Sequence, residues 1–198
     1  MLLWLLAIAM PVICAAPEGI LHPGTGTTVD GTVALDGMHI FGGQLLRTQH
    51  GQESELLTRG SSIKMLSDTK LLFNGDSAQL IEGEVALSTE NGFFLRSDCA
   101  EIMPGSQAAA RYTVQIKDKT IYVSADQSEL TVRSRKSVRL ENGKTAAVFC
   151  GTPKEEIVVS GGSHGSSKVW IAGAAGGVAG AAAGALIRSK PDMSPDHP

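Results

Sequence analysis

Arg111-Tyr112-Thr113-Val114-Gln115-Ile116-Lys117-Asp118-Lys119-Thr120-Ile121-Tyr122-Val123 alternates apolar and polar residues about an Asp118-Lys119 turn. Tyr112, Val114 and Ile116 fall on one face of a pleated strand, and Arg111, Thr113, Gln115 and Lys117 on the other. Ile121 and Val123 resume the pattern. Working outward, Leu130 and Val132 repeat it, then Val138 and Leu140. Turn signals punctuate the runs at Asn74-Gly75, Glu82-Gly83, Asn91-Gly92, Pro104-Gly105 and Asn142-Gly143. They recur every ~8–13 residues, as in a small all-β sandwich, barrel or solenoid. The stretch from Ser61 to Phe149 therefore predicts an all-β domain, a solenoid-like or rolled β-sandwich of many short strands.

Strands are also expected before it. Thr32–Leu35 and Met38–Phe41 flank Asp36-Gly37, a hairpin signal. Leu45–Thr48, Glu53–Thr58, Ile63–Leu66 and Lys70–Phe73 come next. Ala78–Ile81 and Glu84–Ser88 read as two strands parted by a turn at Glu82-Gly83. The β domain is expected over residues 29–150.

The ends of the chain differ in composition. Residues 1–16 form an apolar, signal-like segment, too short to span a bilayer as a helix. It reads as a cleaved signal, a lipidation site at Cys14 or an uncleaved anchor, and each delivers the β domain outside the cytoplasm. Residues 17–28, with Pro17, Gly19, Pro23, Gly24 and Gly26, read as a linker. Residues 151–168 read as a Gly/Ser linker. Val169–Ile187 is apolar throughout between Lys168 and Arg188. At ~1.5 Å per residue it nearly matches a hydrocarbon core, which predicts a C-terminal Gly/Ala-rich membrane helix. Arg188 and Lys190 then belong in the cytoplasm, and residues 188–198 form a polar tail expected to be disordered. Gly173 and Gly177 are four apart, as are Gly176, Gly180 and Gly184. Such a ridge lets two helices approach closely, so a homo-oligomer through this helix is an expected partner state.

Of 198 residues, 17 are Lys or Arg and 20 Asp or Glu, a formal charge of -3. So small an imbalance offers no field for nucleic acid. Arg133, Arg135, Lys136 and Arg139 read as solvent-facing strand residues. With Cys14 removed, Cys99 and Cys150 are an even pair, and an oxidising compartment predicts a disulfide between them.

Gly37–Thr48, Ser54–Met65, Thr69–Phe73 with Leu80–Leu87, and Leu130–Val132 with Val138–Lys144 together resemble FecR-like domains. The resemblance runs from about Val33 to Val148 and rests on the order of strands and Gly turns. It implies an extracytoplasmic all-β module. Founding members are membrane regulators of iron uptake, with a cytoplasmic sigma-factor-binding domain and a membrane helix ahead of that module. Here a signal-like segment stands in that place, so only the β module carries over.

Chemistry is not legible in the motifs. No His-Glu-x-x-His, Gly-x-Ser-x-Gly or phosphate-loop pattern occurs. Gly75-Asp76-Ser77 lies between short strands and reads as a β-turn. His22, His39, His50, His164 and His197 are scattered, without metal-ligand spacing, and Glu53 and Glu55 read as exposed strand carboxylates. No catalytic, cofactor or metal residue is assigned, and the chain reads as a non-enzyme. The leading expectation is a FecR-like module anchored in the bacterial cell envelope, for sensing, ligand binding or protein contact outside the cytoplasm. Two others stand beside it: a structural membrane protein acting through self-association of its glycine-zipper helix, and a wall- or glycan-binding module. The low aromatic content, 5%, weighs against the last.

Overall fold

The computed structural model describes residues 18–105, 109–150 and 157–161. These are all-β, in many short strands, as the alternation predicts. The strands stack in two layers, and the chain passes back and forth between them. β1 (Gly19–His22) lies in the first layer, and β2 (Thr28–Val29) and β3 (Thr32–Val33) in the second. β4 (Met38–Ile40) returns to the first and β5 (Leu45–Arg47) to the second. β6 (Ser54–Thr58) and β7 (Ser61–Met65) pair in the first, and β8 (Lys70–Phe73) lies in the second. β9 (Ser77–Thr89) belongs to both. Hairpins then alternate. β10 (Phe94–Arg96) and β11 (Glu101–Pro104) are in the second layer, β12 (Ala110–Lys117) and β13 (Thr120–Gln127) in the first. β14 (Leu130–Arg133) and β15 (Ser137–Leu140) are in the second, β16 (Lys144–Phe149) and β17 (Ile157–Gly161) in the first.

Across the first layer the order is β4-β1-β6-β7-β9-β12-β13-β16-β17, and across the second β3-β2-β5-β8-β9-β10-β11-β14-β15. β9 is central in both. Every pairing is antiparallel except β9 with β10. Inward side chains of the two layers merge in one core. Leu56, Ile63, Val85, Tyr112, Val114 and Val123 come from the first, and Leu46, Leu71, Phe73, Leu80, Leu95 and Ile102 from the second. All twelve are 0% exposed. Period-2 alternation turns into a two-layer roll because each hairpin has one apolar face and can bury it only against the opposite layer.

β9 crosses between layers where the sequence suggests a turn. Glu82-Gly83 lies within one continuous strand. The β8–β9 register slips between Lys70 and Leu71, a bulge that sets Leu71 against Leu80 and leaves Ile81 41% exposed. Gly83 comes next but one, with φ +91°, a left-handed conformation that favours glycine. Thr69 locks the crossing: its Oγ1 donates to Glu84 O at 2.9 Å and accepts from Glu84 N at 3.0 Å. The sequence reads a chain reversal here; the structure has a bend that feeds the second half of the strand to the other layer.

Two boundaries are corrected. The linker expected at 17–28 contains β1, inserted between β4 and β6 with Gly19 and Leu21 buried. Its Pro/Gly-rich surroundings hide four residues of alternation. The domain end expected at 150 moves out, because β17 pairs with all but the end of β16 inside the stretch expected as a Gly/Ser linker. Residues 1–16, Val169–Ile187 and 188–198 lie outside the described residues.

Candidate binding groove

Along one side of the roll, residues of both layers line an open groove of about 890 Å³. One wall comes from Glu18, the start of β1, His39 and the β6–β7 turn, the other from Gly75, Asp76 and residues 91–94. Ile20 and Leu57 are direct cross-strand partners on the outward face. They are 40% and 37% exposed, although both belong to otherwise alternating strands. Paired apolar side chains turned outward at a concave site are what a binding surface requires and a merely solvated face does not. Phe94 opens β10 half-buried, with the Arg96 guanidinium over its ring at 5.0 Å. Glu18, Asp76, Arg59 and His39 supply the polar rim.

The far wall is tied down by a hydrogen-bond knot. Thr89 Oγ1 accepts from the backbone N–H groups of Asn91 at 3.3 Å and Phe93 at 3.0 Å. Ser61 donates its hydroxyl between Thr89 Oγ1 at 2.9 Å and Asn91 Oδ1 at 3.1 Å. Asn91 Nδ2 donates to Arg59 O, and Glu90 N to Gly60 O at 2.8 Å. From below, the buried Tyr112 hydroxyl donates to Phe93 O at 3.0 Å. Burial pushes the Tyr112 phenol well above its ordinary pKa. Loop 90–93 is therefore fixed to both walls before any ligand arrives, which lowers the entropic cost of binding.

A smaller depression of about 630 Å³ lies on the second layer. Its charges largely answer one another. Lys70 pairs with Glu82, and His50 Nδ1 meets Asp68 at 2.8 Å. That hydrogen bond, with one from Ser67, holds the Asp68 carboxyl below its usual range. These contacts leave Arg47 as the remaining charged side chain of the depression.

Cys99, in the β10–β11 turn, and Cys150, just past β16, are joined by a disulfide with Cα atoms 5.9 Å apart. The bond ties the second layer to the first at the C-terminal half of the roll. Gly173, Gly176, Gly177, Gly180 and Gly184 lie outside the described residues. Among the described residues, no three His, Cys, Asp or Glu side chains gather to hold a metal ion. His22 and His50, scattered in sequence, each meet a carboxylate, Asp36 and Asp68. Sequence reasoning missed Ile20, Leu57, Asn91 and Phe94. The only signal was an apolar residue on the polar parity of β1 and β6.

No family model matches the chain, and no curated protein matches it. Two crystal structures, at 2.50 and 1.65 Å resolution, of a candidate anti-sigma factor from Parabacteroides distasonis ATCC 8503 are similar in fold. Each is 18% identical, with a TM-score of 0.49. The match covers 59% of this chain and 59% of theirs, so the chain spans well under two thirds of their length.

Proposed function

We propose that this chain is a non-catalytic, FecR-like binding module of the cell envelope, exported through residues 1–16 and anchored by Val169–Ile187. Its roll engages a protein partner through the side groove. The observation that carries this reading is the Ile20–Leu57 pair, exposed beside a wall prefixed by Ser61, Thr89, Asn91 and Tyr112. The half-buried Cys99–Cys150 disulfide supports the compartment, since such bonds persist where thiols are oxidised. The acidic and basic groups of the rim, with glycine backbone at Gly19 and Gly75, suit an extended polypeptide better than a small apolar molecule.

The test is site-specific photocrosslinking in intact cells. A photoreactive residue at Leu57 or Ile20 should give a discrete protein adduct that the same residue at Lys136, on the β14–β15 turn, does not. Asn91→Ala should weaken the adduct by loosening the wall. Equal labelling at all three positions, or none at Leu57 and Ile20, removes the groove as the contact site.

A further inference from the structure

Seven large apolar side chains are exposed among the described residues, and the two aromatic ones lie together. Tyr122 on β13 and Phe149 on β16 are 40% and 42% exposed. Tyr122 is opposite Ala147 and Thr120 opposite Phe149, so the aromatics are diagonal neighbours on the outer face of the first layer. Ala147 is in turn opposite Val158 of β17. One row of the face, Tyr122, Ala147 and Val158, is thus apolar across its last three strands, with Ser124, Thr145 and Ser160 in the next row. Lys117 and Lys119 are exposed at the hairpin tip beside Phe149, with Asp118 between them.

Where the chain leaves this face limits what can cover it. The last described residue, Gly161, is on β17, at the edge of the same layer. Seven residues, 162–168, separate it from Val169. Fully extended, they reach at most ~25 Å. If Val169–Ile187 enters the bilayer, as the proposed function has it, the C-terminal edge of the first layer is leashed within that distance of the lipid. Tyr122 stands two strands from β17, about 10 Å across the sheet at ~4.8 Å per strand. The leash is therefore long enough for this C-terminal end of the face to meet the membrane. Its chemistry suits that place. Aromatic rings sit at the headgroup level, and lysine stems cover apolar surface while their ammonium groups reach water or anionic headgroups.

We infer that the face formed by Tyr122, Ala147, Phe149 and Val158 rests on the lipid surface and sets the orientation of the roll on the envelope membrane. The inference rests on the anchoring in the proposed function. The groove's Ile20 and Leu57, on the same outer face, are at least four strands from Tyr122.

The experiment uses the full chain with Cys14→Ser, in nanodiscs of phosphatidylethanolamine and phosphatidylglycerol. A nitroxide is placed by Ala147→Cys, with a control by Ser62→Cys, four strands away on the same face. The expected result is that oxygen reaches the Ala147 label more readily, and a water-soluble nickel chelate less readily, than the Ser62 label. Tyr122→Ser with Phe149→Ser should abolish the difference, whereas Tyr122→Trp with Phe149→Trp should keep it. Equal accessibility at the two positions in wild type overturns the inference while leaving the anchor intact. Dipolar broadening at Ala147 that vanishes on dilution with unlabelled chain overturns it in favour of a second copy on this face. A chain that alkaline carbonate strips from the membrane overturns the anchoring, and this inference with it.

Discussion

Gly83→Ala tests the crossing of β9 most directly. An added Cβ would lie 2.5 Å from Thr69 Oγ1, 2.6 Å from Thr69 Cα and 2.7 Å from Asp68 O. Two of these three atoms are backbone, so a rotamer change cannot relieve the clash, and overpacking of this kind costs about 2 kcal/mol. The φ of +91° adds a strain of about 2 kcal/mol for an L side chain. Restricting the unfolded chain returns roughly 0.7 kcal/mol. The net loss is therefore about 3 kcal/mol, a large share of a typical domain's stability. Gly143→Ala is the control: its φ is +73°, but nothing lies within 4 Å of the added atom. It should cost no more than about 1.5 kcal/mol. In urea melts with m near ~2 kcal/mol/M, Gly83→Ala should lower the midpoint by about 1.5 M, and Gly143→Ala by at most half that. Equal midpoints for the two variants would refute the reasoning, because the difference comes from the contacts with Thr69 and Asp68.

Removing the disulfide as Cys99→Ser with Cys150→Ser opens a loop of sequence separation 51. It should cost about 4 kcal/mol in the chain-entropy picture, read as a urea midpoint shift that a reductant reproduces in wild type. Tyr112→Phe strands the buried Phe93 carbonyl and should cost about 1–3 kcal/mol by the same measurement, with the groove wall loosened in hydrogen exchange. The raised Tyr112 pKa also gives a pH dependence. The unfolded phenol loses its proton near ~pH 10 while the folded one keeps it. Below that pH the linkage term is flat, and above it the unfolded state binds fewer protons, so stability falls as pH rises. In a Tyr122→Phe background, absorbance at the phenolate band should rise only with unfolding. For the topology, protease added to spheroplasts should digest the roll and spare a tag after Pro198; the reverse pattern overturns the proposed orientation.

The all-β class could be read from β12 and β13 because both runs are long, and one period-2 pattern fits only a half-buried strand. β1 could not. Ile20-Leu21 is too short a run to outweigh Pro17, Pro23 and the nearby glycines, and its place between β4 and β6 depends on residues 17 to 39 positions away. Gly83 marks a positive φ correctly, but a turn and a layer crossing make the same local demand. What separates them is Thr69, a contact 14 residues back. The groove was hidden for a similar reason. One apolar residue on the polar side of a strand looks like noise until Ile20 and Leu57 are found opposite each other.

The central place of β9 divides the molecule. In each layer four strands stand on one side of it and four on the other. The first eight strands of the chain all lie on one side and the last eight on the other. β9 is thus a seam. On its N-terminal side it holds five residue pairs to β7 and four to β8; on its C-terminal side, seven to β12 and only three, in parallel, to β10. A pull between the two halves would peel the seam pair by pair, beginning at β10. The groove takes Ile20 and Leu57 from one half and Phe93 and Phe94 from the other. A partner seated there, as the proposed function has it, would grip both halves at once and clamp the seam shut, so occupancy would make the roll mechanically stiffer.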